Sequence, residues 1–149
     1  MKQIISFKIA DKKFGFYILE VQEIIRIKKI TPLPNVPEYV KGVLNLRGNI
    51  VPIIDLRKRF NFPEKIYTMF TRIIITNMKG QLNGFIVDNI EGVINVEDNK
   101  IKSNFKDYKG ISPEFFQGVV EDKNNLILIL NIETLIKNIN STQKELNYG

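Results

Sequence analysis

The chain has 149 residues, 44% of them hydrophobic, with a formal net charge of +6 at pH 7 and neither cysteine nor histidine. Those absences exclude disulfides, thiolate chemistry and any Ser-His-Asp or Cys-His arrangement, and remove the commonest general base and metal ligand; carboxylate or lysine chemistry stays open. No stretch approaches the ~20 apolar residues of a membrane span, and the basic start MKQIISFKIADKK has too short an apolar run for a signal peptide, so a soluble intracellular protein is expected.

In chain order, residues 3–9 alternate, with Ile5, Phe7 and Ile9 on one face and Ser6 and Lys8 on the other, as a half-buried strand does. Asp11-Lys12-Lys13 turns the chain and residues 14–17 return as a hairpin partner. Ile18, Val21, Ile24 and Ile25 fit a helical stripe, but the matching stretch at 87–96 carries Asp88-Asn89 and Gly92, which disfavour helix. A bend near Leu19 followed by a strand is therefore expected. TPLPNVP at 31–37 contains three prolines and reads as an ordered surface loop, followed by one helical turn at 38–40. Strands at 42–46 and 50–54 flank Arg47-Gly48-Asn49, where Gly48 and Asn49 tolerate positive φ. Pro52 lacks a donor, which predicts an edge strand or a locally unpaired N–H side. Asp55 is placed to cap a short helix over 56–60.

Residues 61–68 link to strands at 72–76, 82–87 and 90–96, with Lys79-Gly80 as turn residues. The polar stretch 97–112 is punctuated by Phe105 and Tyr108. Strands at 115–121 and 126–130 form the last hairpin, the unbroken LILIL suiting a strand buried on both faces. Asn131 caps a terminal helix over 132–140 whose Ile132, Leu135, Ile136 and Ile139 share one face; residues 141–149 read as a frayed end.

The segment VKGVLNLRGNIVPIIDL at 40–56 has a degenerate copy, FQGVVEDKNNLILILNI, at 116–132. Gly42 matches Gly118, Val43 Val119, Val51 Ile127, Ile53 Ile129 and Leu56 Ile132. Ile4-Ile5 likewise matches Ile73-Ile74, Gly15-Phe16 matches Gly84-Phe85, Val21 matches Ile90, and Ile24-Ile25 matches Val93-Ile94. Two related β-rich halves follow. About ten short strands with frequent turns describe an all-β protein, and the repeat favours two small barrels over one sandwich. Such barrels are marginal alone, so they should share a core and form a cleft between them. The expected division is a first subdomain over about 14–70 and a second over about 71–131 within one domain, with strand 3–9 and helix 132–140 packing across.

The residues GVLNLRGNIVPIIDLRKRF at 42–60, FGFYILEVQEII at 14–25, GFIVDNIEGVINV at 84–96 and LILILNIETLI at 126–136 resemble the CheW family of bacterial chemotaxis coupling proteins. The likeness runs over about 3–139. It implies two five-stranded SH3-like barrels around a shared hydrophobic core and a non-enzymatic adaptor without cofactor or metal. It also implies two partners, the regulatory domain of the histidine kinase CheA and the helical hairpin at the cytoplasmic tip of methyl-accepting chemoreceptors. The implied location is the cytoplasm, at membrane-associated receptor arrays without membrane insertion, and the free protein is expected to be a monomer.

Arg47 lies on a turn where folding requires neither its length nor its charge; its five donors can clamp a carboxylate or helix-end carbonyls, although a solvated cation fits as well. In the family this arginine belongs to the receptor-coupling surface. Val21 and Ile24 are receptor-groove candidates, with ordinary core packing the competing explanation, and Glu23 belongs at a rim. Ile90 and Val93, their repeat equivalents, are assigned to the opposite wall. The resemblance implies a kinase contact at one end of the first barrel, with Ile30, Lys41 and Ile50 as candidates. A second, ring-forming contact is assigned around Lys102 and Phe105, an aromatic in a polar loop being a plausible anchor or a side chain tucked onto the core. Gly42, Gly48, Gly84 and Gly118 read as backbone necessities.

The alternative is a nucleic-acid-binding tandem barrel, which the positive charge permits. Its dense basic runs, Lys12-Lys13, Lys28-Lys29 and Arg57-Lys58-Arg59, read equally as solvated charge at loops and helix ends, and the aromatics sit in apolar strands instead of alternating with cations. No nucleic-acid partner is expected.

Overall fold

The computed structural model describes residues 1–103, 108 and 110–137. Phe105, Ile139 and the end of the expected terminal helix lie outside them. Ten strands follow in chain order: β1 (Lys2–Ile9), β2 (Lys12–Tyr17), β3 (Val21–Arg26), β4 (Val40–Leu46), β5 (Asn49–Asp55), β6 (Arg72–Met78), β7 (Gln81–Val87), β8 (Asn89–Val96), β9 (Phe116–Asp122) and β10 (Asn125–Leu130). Two short helices, α1 (Leu56–Arg59) and α2 (Ile132–Leu135), follow β5 and β10. The bend near Leu19 is a 3-10 turn over Ile18–Glu20 leading directly into β3. The helical turn expected at 38–40 is absent: Glu38 and Tyr39 lie in a plain turn and Val40 already begins β4.

The strands form two five-stranded sheets, ordered β3-β6-β7-β5-β4 and β8-β1-β2-β10-β9. We call them barrel one and barrel two. The sequence matches of the repeat relate equivalent elements: β1 to β6, β2 to β7, β3 to β8, β4 to β9, β5 to β10 and, through Leu56 and Ile132, α1 to α2. Even the parallel pairings correspond, Ile53 facing Gly84 as Ile129 faces Gly15. The repeat unit is nevertheless not the barrel. Each barrel takes its first hairpin from one half and its other three strands from the other half. The hydrogen-bonded ladders thus divide the chain at 17–21 and 87–89, differently from the expected boundary near 70. The physical reason is that β2 is followed by the tight turn at Ile18–Glu20, which delivers β3 to the edge of β6 and not back beside β1.

The reciprocal exchange ties the barrels into one unit. Alternation in the strands builds three apolar layers. Leu44, Leu46, Val51, Ile53, Ile73, Ile75 and Ile86 fill barrel one, and Ile4, Val96, Val120 and Ile129 fill barrel two. Between them lies the largest cluster, including Phe7, Phe14, Phe16, Ile54, Ile74 and Phe85, with both helices docked through Leu56, Ile132 and Leu135. Capping starts each helix as the sequence predicts. The Asp55 carboxylate accepts from the Arg57 and Lys58 backbone N–H groups at 3.0 and 3.4 Å, and the Asn131 side-chain oxygen accepts from Thr134 N–H at 3.4 Å.

Pro52 lies in a strand flanked on both sides, so the edge-strand option fails and the second option holds. Val43, opposite Pro52, donates its N–H to Thr31 and accepts from Thr31 N–H, at 2.8 and 2.9 Å. Val43–Pro52 is therefore a non-hydrogen-bonded pair, and the Pro52 nitrogen faces β7, whose parallel ladder with β5 begins only at Ile53. Close passage of that loop also explains Gly42, at φ +146°, where an added Cβ would sit 2.1 Å from the Thr31 carbonyl oxygen.

Candidate functional site

β3 and β4 stand at opposite ends of the barrel-one sheet order. Curling brings their edges together, and Glu23 of β3 forms an ion pair and hydrogen bond with Arg47 of the β4–β5 turn. The turn consists of Arg47 and Gly48, with φ of 50° and 89° between the paired residues Leu46 and Asn49. It is a two-residue turn with both φ positive, the type matching strand twist. Asn49 does not share the positive φ the sequence suggested; Arg47 does. Asn45 accepts from the Gly48 N–H at 2.9 Å and holds the turn shut. The Arg47 side chain stays 65% exposed, so the guanidinium is displayed on a fixed turn with donors left over for a partner. At the equivalent barrel-two positions stand Gly92 and Lys123, which cannot make this pair.

The remaining receptor candidates separate into two kinds. Val21 and Ile90 are half-buried and reach the same inter-barrel cluster from the two barrels. Ile24 and Val93 point outward, 36% and 51% exposed. The structure thus joins Arg47 to Glu23 directly, and joins Val21 to Ile90 only through the core they share.

Of the kinase candidates, Ile50 is 60% exposed on β5, opposite Asn45. Ile30 is half-buried against the barrel-one cluster, next to the Thr31 bridge onto β4. Lys41 is exposed, its ammonium 5.7 Å from the Tyr67 ring centroid. Lys102 extends barrel two, exchanging backbone hydrogen bonds with Val119 at 2.8 and 2.9 Å, the counterpart of the Thr31–Val43 bridge. Phe105 lies outside the described residues.

Residues 57–59 turn out to be largely engaged internally. Arg57 forks onto Asp88 with Nε–Oδ1 at 2.9 Å and Nη2–Oδ2 at 2.6 Å, and donates to the Pro63 carbonyl at 2.8 Å. Lys58 pairs with Glu64 at 2.9 Å. Arg59 lies over the rings of Tyr39 and Phe115 and donates to the carbonyls of Leu135 and Thr134 at 3.1 and 3.2 Å, closing the end of α2. Burial would raise the Asp88 carboxyl, but hydrogen bonds from Arg57 and the Ala10 N–H, with the Arg57 charge, hold it below its ordinary value. Sequence reading treated Arg57 as part of a solvated run and Asp88 only as a helix breaker; nothing in their spacing announces the pair.

Two fused β-barrels carry accessible side chains on fixed turns and strand edges, an arrangement suited to a scaffold that docks other proteins. Comparison with known proteins agrees. The CheW-like domain model matches residues 3–140, so the chain belongs to the CheW family of chemotaxis scaffolding adaptors. It is 32% identical over 137 residues to the chemotaxis protein CheW of Treponema pallidum, covering 89% of this chain and 81% of that one. It is 33% identical over 135 residues to CheW of Bacillus subtilis, covering 91% and 86%. The crystal structure of the scaffolding protein TtCheW from Thermoanaerobacter tengcongensis superposes with a TM-score of 0.84 at 34% identity, covering 91% of this chain and 87% of that one. Among the described residues no helix is long and apolar enough to cross a membrane, and no group of three or more acidic side chains is arranged to hold a metal ion.

Proposed function

We propose that this protein couples methyl-accepting chemoreceptors to the histidine kinase CheA, working in the cytoplasm at membrane-associated arrays. Barrel one, in this reading, receives the receptor's helical hairpin along Val21, Glu23, Ile24 and Arg47, with Ile90 and Val93 of barrel two as the opposite wall. Its Ile30, Lys41 and Ile50 region meets the kinase regulatory domain, and barrel two makes a second kinase contact near Lys102 and Phe105.

The observation that carries this reading is the Arg47–Glu23 pair, which displays a guanidinium on a fixed turn at the rim of barrel one. An exposed ion pair adds little to folding, so the positive-φ turn holding Arg47 out is better explained by recognition: a rim presenting both signs of charge suits the polar flank of an amphipathic helix. The nucleic-acid reading is weaker, because the densest basic run is committed to Asp88, Glu64 and α2 carbonyls and offers no open cationic stripe.

Reconstitution tests the proposal. A receptor cytoplasmic fragment and CheA from the same genome are mixed with and without this protein, and the kinase sedimenting with receptor is measured. Recovery of kinase that depends on the added protein is expected. Kinase recovery indifferent to its presence, with the protein itself left in the supernatant, contradicts the coupler role.

A further inference from the structure

We infer that the strap between α1 and β6, residues 61–71, carries a docking site for an acidic amphipathic helix of a partner protein, a surface that borders the proposed kinase contact at Lys41 and is otherwise distinct from the receptor and kinase contacts above. Ile66, Met69 and Phe70 of this strap are 90%, 80% and 63% exposed. Single exposed apolar residues are ordinary, but three large ones within five positions form a patch the fold does not use.

The strap is held firmly while displaying them. Arg57 fixes the Pro63 carbonyl at 2.8 Å, Lys58 holds Glu64 at 2.9 Å, and Arg72 donates to the Met69 carbonyl at 2.8 Å. The Thr71 hydroxyl accepts from Thr68 N–H at 2.8 Å, and the Thr68 hydroxyl accepts from Phe70 N–H at 3.1 Å. Tyr67 folds inward against the barrel-one cluster, and burial, helped by the charges of Asp55 and Glu64, pushes its phenol up to about 12. These contacts fix the path of the strap, so the patch is preorganised and little ordering entropy is left for binding to supply.

Charge selects the occupant. The strap separates two surface clefts. Ile66 borders one with Lys41, Lys58 and Lys65; Phe70 borders the other with Lys8 and Lys65. The acids nearby are largely spoken for: Glu64 by Lys58, Asp88 by Arg57, and Asp55 by the first N–H groups of α1, leaving Glu38 near Lys58 and Asp11 at the rim of the second cleft. Among the described residues Lys41 and Lys65 form no ion pair. An apolar ridge between two lysine-bearing clefts matches a helix with one apolar stripe flanked by Glu and Asp. A folded adaptor assembling with other proteins makes a protein helix the favoured occupant over an anionic lipid surface.

The test is selection of a phage-displayed library of helix-forming peptides on the full chain, alongside an Ile66→Ser/Met69→Ser/Phe70→Ser variant and a Lys65→Glu variant, each with its melting temperature measured. Enriched peptides should be acidic and amphipathic, bind the wild-type chain saturably, and bind each variant at least about tenfold more weakly with melting temperatures unchanged. Peptides that lack acidic residues, or that bind the serine variant equally well, overturn the proposal. So does strap-dependent binding to phosphatidylglycerol vesicles with no peptide enriched, which would assign the patch to lipid. Kinase binding, read separately through Ile50, is not expected to respond to the serine variant.

Discussion

Arg57 and Asp88 meet in a two-pronged ion pair that joins α1 to the point where the chain leaves barrel one for barrel two. Ala10, in the β1–β2 turn of barrel two, donates its N–H to the same carboxylate at 2.9 Å, so one aspartate ties both barrels and the strap's Arg57 anchor together. Both side chains are mostly buried, 14% and 19% exposed, which makes the pair costly to break from one side.

Replacing Asp88 with Asn should destabilise the fold by about 2 kcal/mol at pH 7, the scale of lost charge-assisted hydrogen bonds. Because the Asp88 pKa is depressed in the folded state, its contribution is present above the unfolded value of 3.8 and disappears as pH falls through the lower folded value. Urea unfolding across pH 7 to 2 should show the gap between wild type and variant closing below about pH 4. A gap constant with pH would mean that the loss is steric.

Arg47→Glu should weaken receptor coupling while shifting the melting temperature little, since a solvent-exposed ion pair adds little to stability. Sedimentation with receptor fragment, alongside thermal denaturation, separates the two effects. A parallel fall in stability and affinity would assign Arg47 to closing the barrel seam and not to recognition.

Val51 lies in the interior of barrel one and Ile129 in that of barrel two, and both are fully buried. Truncating either to Ala should cost ~2–5 kcal/mol by denaturant titration. A cost near zero at one of them would place that strand out of register.

Gly42→Ala should be far more damaging than Gly48→Ala. At 42 the new methyl meets the Thr31 carbonyl at 2.1 Å, whereas at 48 nothing lies within 4 Å and only the positive φ penalises the side chain, by about 1 kcal/mol. Chemical denaturation of both variants gives the comparison; equal losses would show that the loop carrying Thr31 gives way freely.

Much of this architecture is legible in the residues. The matches Gly15–Gly84, Val21–Ile90 and Gly42–Gly118 named the strands that the fold makes equivalent, because strand alternation and glycine sites with no room for Cβ repeat with the fold. The exchange of strands between barrels is not legible. Hydrophobic periodicity says which face of β3 is buried, not which sheet edge receives it, and that choice is made by the turn at Ile18–Glu20. The same limit applies at the site: Arg47 and Glu23 stood out separately, but their pairing requires two strands from opposite ends of one sheet to meet around a closed barrel. Residues 57–59 misled for a related reason, since their partners Asp88, Glu64 and the carbonyls of Thr134 and Leu135 come from distant elements that sequence proximity does not reveal.

The most direct test of the coupling role is titration of the chain with the isolated regulatory domain of CheA from the same genome, repeated with Ile50→Asp. Ile50 is 60% exposed, so the substitution should leave the fold intact. Saturable one-to-one binding of the wild-type chain, lost in the variant, is the predicted result. No binding by the folded wild-type chain at concentrations of tens of micromolar would contradict the kinase-adaptor assignment.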